Sequence, residues 1–298
     1  MSLRAPSLCG ILLLDKPRGL SSNAALQRVR GHLGRPKAGH TGSLDPLATG
    51  MLPICIGEAT KLAGDLLGGT KAYTVELRLG ARTETGDEEG PVVERGPVPK
   101  LSAELIESAL KGLRGAQQQI PPMYSALKQE GVPLYRLARR GLSVERAARS
   151  IEIYALELLE WAEDRVKLRV ECSKGTYVRT LVEQVGTGLE SCAHVISLRR
   201  DFVEPFRSEA MMTLDALLQT PSPALIPADR AVAQLPELHL SVAQARSIAF
   251  GQPTLIAGAP LGRLRLYEEG GRFMGLGTSL EQGQVRALRL FALSGGPP

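Results

Sequence analysis

Apolar and polar residues repeat with a period that changes along the chain, and those changes divide it into elements. Residues 10–17 form a short apolar run stopped by Asp15, Lys16 and Pro17, which predicts a buried strand entering a turn. From 21 to 30 the chain opens with Ser21 and Ser22, then spaces Leu26, Val29 and Leu33 at helical intervals. Further helices are predicted over 57–67, from Ala59, Leu62, Ala63 and Leu66, and over 100–113, capped by Ser102. Period-two alternation over 73–79 predicts a half-buried strand, and 151–159 and 166–171 read as two strands about a polar turn. A helix over 181–189 and a strand over 194–200, ending on two arginines, follow. Residues 220–236 carry Pro221, Pro223, Pro227 and Pro236 and mark a boundary; beyond it, glycine-separated apolar runs, the last over 285–293, predict a small all-β module.

The 298 residues suffice for one large and one small domain. Neither the 43% hydrophobic nor the 22% charged fraction departs from an ordinary globular protein. A net charge of +5 suits a polyanionic partner but identifies none. Cys9, Cys55, Cys172 and Cys192 lie far apart without CxxC spacing, which predicts neither zinc nor a disulfide framework; each reads as a small buried hydrophobe. The four histidines show no HExxH spacing, so no metal is expected. No apolar run reaches the roughly 20 residues of a membrane span and no signal peptide is visible, so a cytoplasmic protein without membrane association is expected.

The stretch 39–61 breaks the periodic pattern. Gly39, Gly42, Gly50, Pro46 and Pro53 surround Asp45, with His40 five residues earlier and Leu44, Leu47, Met51 and Leu52 available to pack beneath. Two readings stay open on local physics: a pinned loop presenting an acid, or a turn whose aspartate caps the next segment. GxxxxGK[ST], GxGxxG between strand and helix, and GxSxG are all absent. Tyr73, Tyr177 and Arg179 remain as candidate partners, and in an extended segment Tyr177 and Arg179 would share a face. A carboxylate held ionised by an arginine suits chemistry at a sugar C1′, where positive charge develops as a glycosidic bond breaks, and needs no cofactor. Arg136, Arg139, Arg140, Arg146 and Arg149, interleaved with Tyr124 and Tyr135, suit phosphates and bases; an arginine-rich amphipathic helix is the plainer alternative. Lys16 and Lys61 read as solvated strand-end and helix-surface residues.

Gly39-His-Thr-Gly-Ser-Leu-Asp-Pro-Leu-Ala-Thr-Gly-Met-Leu-Pro53 resembles the active-site motif of bacterial tRNA pseudouridine synthases of the TruB family. Supporting matches are Leu14-Asp-Lys-Pro17, Lys71-Ala-Tyr73, Ile120-Pro-Pro-Met-Tyr-Ser-Ala-Leu-Lys128, Cys172-Ser-Lys-Gly-Thr-Tyr-Val-Arg-Thr180 and Ala193-His-Val-Ile-Ser-Leu-Arg-Arg200. The resemblance implies isomerisation of the T-loop uridine at tRNA position 55. It implies Asp45 as the essential catalytic residue, His40 filling the space that the flipped uridine leaves, and Tyr73 stacking on the base. Tyr177 becomes a candidate for proton removal, Arg179 the partner of Asp45, and Leu198 an apolar wall. Arg139 and Arg140 fall in the family's RNA-closing insertion, at about 121–150. Ser43 departs from the usual alanine and Glu84 from the usual aspartate. The expected fold is α+β: a catalytic domain over 1–235, with a mixed, mainly antiparallel sheet, and a PUA-like RNA-binding β-barrel over 236–298. The expected partner is the T-arm stem-loop of tRNA, bound by a monomer with no guide RNA, no metal and no cofactor. A non-catalytic tRNA-folding protein on the same scaffold is the alternative.

Overall fold

The computed structural model describes residues 8–292; positions 1–7 of the expected catalytic domain and 293–298 of the expected tail module lie outside that range. A nine-stranded sheet forms the centre. Its main path runs Met212–Thr213, Gly10–Lys16, Thr49–Ile56, Ala193–Val203, Lys71–Leu79, Arg165–Cys172, Arg149–Ala162 and Gly115–Gln119, and Ala38–His40 pairs with Thr49–Ile56. Only the pairings of Met212–Thr213 with Gly10–Lys16 and of Ala193–Val203 with Thr49–Ile56 are parallel, so the sheet is mixed and mainly antiparallel as expected.

The unbroken apolar run of the first strand follows from burial on both faces. Leu12 and Leu14 join a cluster with Leu52, Ile54, Val75 and Leu77 under the helices Ser22–His32, Ala103–Lys111 and Val178–Gly188. Ile11 and Leu13 point the other way, to Met51, Cys55, Leu62, Leu66 and Phe202. Two helices start where their caps predict. The Ser21 hydroxyl accepts from the Ala24 amide at 3.1 Å and that of Ser102 from the Leu105 amide at 3.2 Å.

Other expectations need correction. The helix expected over 57–67 is a 3₁₀ segment, Gly57–Leu62, followed by a short α-helix, Ala63–Gly68. The helix expected to begin at 181 begins at Val178, so Tyr177 is its N-cap residue and Arg179 lies in its first turn. These two side chains do not alternate along a strand. The chain reverses at Gly175 (φ +84°), and Gln119 clamps Tyr177 from both sides, its Oε1 accepting from the Tyr177 amide at 2.8 Å and its Nε2 donating to the carbonyl at 3.2 Å. The arginine-rich stretch is not one amphipathic helix. It holds the five-residue helix Leu134–Ala138 and then irregular chain up to Arg149.

Thr49–Ile56 carries Gly50 and Pro53 in a strand that continues straight out of the loop bearing Asp45. Pro53 is tolerated because the parallel neighbour engages only Thr49 and Gly50; further along, that edge is covered by Ala38–His40, and the Thr41 amide donates to the Pro53 carbonyl at 3.0 Å. Gly50 has φ +94°, and a β-carbon there would lie 2.2 Å from the Arg200 carbonyl oxygen. Gly50→Ala is therefore expected to cost about 3 kcal/mol or more of stability, read from the denaturant midpoint.

The tail forms a five-stranded sheet in the order Glu237–Leu240, Gly262–Glu268, Phe273–Ser279, Gln284–Leu290 and Thr254–Leu255, around Leu240, Ile248, Leu264, Leu266 and Val285. Among the described residues its two edge strands do not pair, so the barrel is a curled half-barrel. It docks on the nine-stranded sheet. Leu276, Phe273 and Phe291 enter the cluster of Ile11, Met51 and Leu62. Arg263 pairs with Asp65 at 2.7 Å, and the Ala292 amide donates to Glu58 at 2.7 Å. Lys61 is thus not a solvated surface residue: its ammonium donates to the Leu290 carbonyl at 2.8 Å and pairs with Glu58.

Candidate active site

The stretch singled out in the sequence folds as a loop between Ala38–His40 and Thr49–Ile56, pinned from three sides. Leu44 and Leu47 are buried beneath it. The Ser22 hydroxyl accepts from the Leu44 amide at 2.7 Å and donates to its carbonyl at 3.0 Å, tying the loop to the first helix. The Gly19 amide donates to the Pro46 carbonyl at 2.8 Å, and the Ala48 amide to the Asp45 carbonyl at 3.1 Å. A carboxylate is thereby presented on backbone held before and after it.

Asp45 meets Arg179 in a two-pronged ion pair, Nε to Oδ2 at 2.9 Å and Nη2 to Oδ1 at 3.2 Å. The arginine side chain is 5% exposed, whereas that of Asp45 keeps 36% open toward the cleft. Arg179 also donates to the carbonyls of Thr85 and Tyr124, so one guanidinium joins the aspartate, the acidic turn and the start of the arginine-rich stretch. The acidic turn is braced by Thr83 and Thr85 on Asp87, and its Glu84 accepts from the Tyr124 hydroxyl at 3.0 Å. Burial pushes the Asp45 carboxyl above its usual range; Arg179 opposes this and Asp87 adds to it.

Asp45, Tyr73, Tyr177, Arg179 and Leu198 line one cleft of about 560 Å³, closed on one side by Ser125, Ala126 and Leu127. Tyr73 rises from Lys71–Leu79 and is buried, which pushes its phenol up. Burial also pushes the Tyr177 phenol up. A phenol raised from about 10 is protonated at neutral pH, which suits holding a ring or donating a hydrogen bond rather than removing a proton.

The other three candidates lie outside this lining. His40 has a buried Nδ1 without a hydrogen-bond partner; burial, then Arg200, lowers its pKa, leaving it neutral at pH 7. Arg139 is exposed, its guanidinium 5.7 Å from the Tyr135 ring centre, and Arg140 is exposed beside it.

Three buried cations escaped the sequence reading. Lys16 is 0% exposed, not solvated as expected. Its ammonium donates to the carbonyls of Pro17 at 2.9 Å, Leu20 at 2.6 Å and Pro46 at 3.4 Å, the last beside Asp45. Burial lowers its pKa to about 8. Lys71 and Arg200 line the cleft itself. Arg200 donates to the Met51 carbonyl at 2.7 Å and the Gly42 carbonyl at 3.1 Å. All three stand in stretches that the sequence offered, and lysine and arginine are seldom fully buried unless partnered.

Among the described residues no helix is long and apolar enough to cross a membrane. Residues 30–178 match the family described as TruB family pseudouridylate synthase (N terminal domain), and residues 236–291 match pseudouridine synthase II TruB, C-terminal. The tRNA pseudouridine synthase B of Coxiella burnetii (strain Dugway 5J108-111) is 46% identical over 290 residues, which cover 94% of this chain and 94% of that protein. That of Yersinia pestis (strain Pestoides F) is 46% identical over 303 residues, covering 96% and 93%. A solved chain from an H/ACA RNP bound to a substrate RNA containing 2'-deoxyuridine superposes with a TM-score of 0.71 at 23% identity, over 95% of this chain and 85% of its own, a likeness of fold. Two family domains in order and this identity over nearly the whole length lead to one conclusion: the chain belongs to the TruB family of pseudouridylate synthases.

Proposed function

We propose that this enzyme isomerises a uridine of tRNA to pseudouridine, and that its target is the T-loop uridine at position 55. The names of its close relatives support the reaction. The observation that carries the site is the Asp45–Arg179 ion pair at a cleft that also holds Tyr73. The T-arm binds through phosphates to the exposed Arg28, Arg35 and Lys37 and to the stretch bearing Arg139 and Arg140. The uridine leaves the stack at a cost of a few kcal/mol, offset by those contacts, and stacks on Tyr73 against the apolar wall of Leu198. His40, whose Nδ1 lacks a partner, enters the vacated space. Asp45 promotes cleavage of the N-glycosidic bond while Arg179 fixes its carboxylate and Tyr177 positions the ring. The detached uracil turns and rejoins through carbon 5, and the cleft keeps water from capturing the sugar. Isomerisation consumes no redox equivalent, so no redox or phosphate cofactor is required. The working unit is a cytoplasmic monomer of two domains, 1–235 for catalysis with the insertion at about 121–150, and 236–298 for RNA binding.

The test is a pseudouridine map of unmodified tRNA before and after treatment with the pure chain. A new pseudouridine at position 55 is expected; none at all means a tRNA-folding protein without this activity. Conversion of a bare T-arm stem-loop excludes a guide-RNA requirement. Arg139→Ala and Arg140→Ala are each expected to weaken stem-loop binding and to reduce the slope of log affinity against log salt by about one. An unchanged slope in filter-binding titrations removes these arginines from the phosphate contacts.

A further inference from the structure

Lys71 opens the strand that carries Tyr73 two residues later, so both side chains leave the sheet on one face. The lysine is 6% exposed and lines the cleft. A β-carbon at Gly42, three residues before Asp45, would lie 3.9 Å from Lys71 Cε and 3.3 Å from Arg200 Nη1, so both side chains lie beside the loop that bears Asp45. The Lys71 ammonium donates to the carbonyls of Leu67 at 3.1 Å and Gly69 at 2.6 Å; among the described residues it has no third acceptor. Tying down two carbonyls does not require a charge, and a buried charge is costly without a counter-ion. Its pKa is lowered to about 8, by burial first and then by Arg200, with Lys174 acting in the same sense and Cys172 and Glu204 against it.

We propose that Lys71 is a catalytic residue whose ammonium stabilises the negative charge carried by the uracil ring once its bond to the sugar has broken. This rests on the isomerisation proposed above. When the C1′–N1 bond breaks, its electron pair stays on N1 and the charge spreads to the ring carbonyl oxygens, while positive charge at C1′ faces Asp45. After the ring turns, C5 supplies the pair that rebuilds the bond to C1′. The C5 proton is lost and N1 takes one up, so the product is an isomer and the ring is again neutral. The anion exists only between these two bond changes, so a fixed cation in a closed cleft favours it over the neutral substrate. Asp45 has the wrong sign for this task. Arg179 is engaged with Asp45, Thr85 and Tyr124; Arg200 spends Nε on Met51 and Nη2 on Gly42 and spreads its charge over three nitrogens, whereas Lys71 keeps an unused proton on a single charged atom.

The experiment is single-turnover conversion of the T-arm stem-loop from mildly acidic to alkaline pH by wild type, Lys71→Gln, Lys71→Arg and Lys16→Arg. Lys71→Gln keeps a donor for the two carbonyls but no charge. It is expected to bind the stem-loop with unchanged Kd and to react about 100-fold more slowly. Lys71→Arg is expected to stay within about tenfold of wild type, because it retains the charge. The wild-type rate falls as pH rises through about 8, where the ammonium loses its proton, and in Lys71→Arg this fall moves to higher pH. Lys16 titrates in the same region, and Lys16→Arg is expected to leave the fall in place. A Lys71→Gln rate within threefold of wild type overturns the proposal. So does a fall that stays in Lys71→Arg and shifts in Lys16→Arg. If Lys71→Gln does not fold, the displacement in Lys71→Arg decides alone. Failure of the underlying reading looks different, since wild type then forms no pseudouridine.

Discussion

Asp45→Asn is expected to lower single-turnover pseudouridine formation by about 10⁴-fold or more, with T-arm affinity changed only a few-fold. Asparagine fills the same volume and retains one oxygen for Arg179, while the loop is held by Leu44, Leu47 and the Ser22 hydroxyl, none of which the substitution touches. What disappears is the negative charge facing the sugar carbon. The pH profile gives a second reading of the same group. Protonated Asp45 cannot meet positive charge at C1′, and burial raises its pKa, so the wild-type rate should fall as pH drops through a value above the ordinary carboxylate pKa of about 3.9. Product at the wild-type rate from Asp45→Asn means that the charge resides elsewhere.

Arg179→Met is expected to slow the reaction by roughly 10³-fold, the largest effect of any residue beyond the aspartate itself. The substitution severs three links: the ion pair with Asp45, the hold on the acidic turn at Thr85, and the hold on Tyr124. A partly buried carboxylate is left without its partner, which costs about 1–3 kcal/mol of stability. Removing the positive charge also removes what lowers the Asp45 pKa, so the acidic limb of the rate profile should move to higher pH. If the arginine works through Asp45, Asp45→Asn combined with Arg179→Met is no slower than Asp45→Asn alone. Rates that multiply in the double variant mean that Arg179 acts on the RNA independently.

Local signals in the sequence were reliable wherever the deciding partner lies within a few residues. Ser21 and Ser102 cap helices because the amides that donate to them are three residues away, and the strand at Gly10–Lys16 reads from its own apolar run. Asp45 and Tyr73 stand in distinct motifs, and both line the cleft. What stayed hidden depends on distant partners. The helix beginning at Val178 starts early because Gln119, 58 residues away in sequence, holds the Tyr177 backbone. Lys16 looked like a solvated charge and Arg200 was passed over as a strand end, yet carbonyls of Leu20, Pro46 and Met51 receive them in the interior. Polarity patterns read such residues as surface, and only the fold supplies the acceptors.

The docking of the tail sheet has a consequence for exchanging parts between relatives. Phe273, Leu276 and Phe291 lie in the same oily layer as Ile11, Met51 and Leu62, and Glu58, Lys61 and Asp65 act as its fasteners. The tail therefore is not a detachable cassette. A transplant from another member must bring along side chains that match the 57–68 stretch, because a chain cut before Glu237 leaves the back of the catalytic sheet wet just behind the strand that emerges from Asp45.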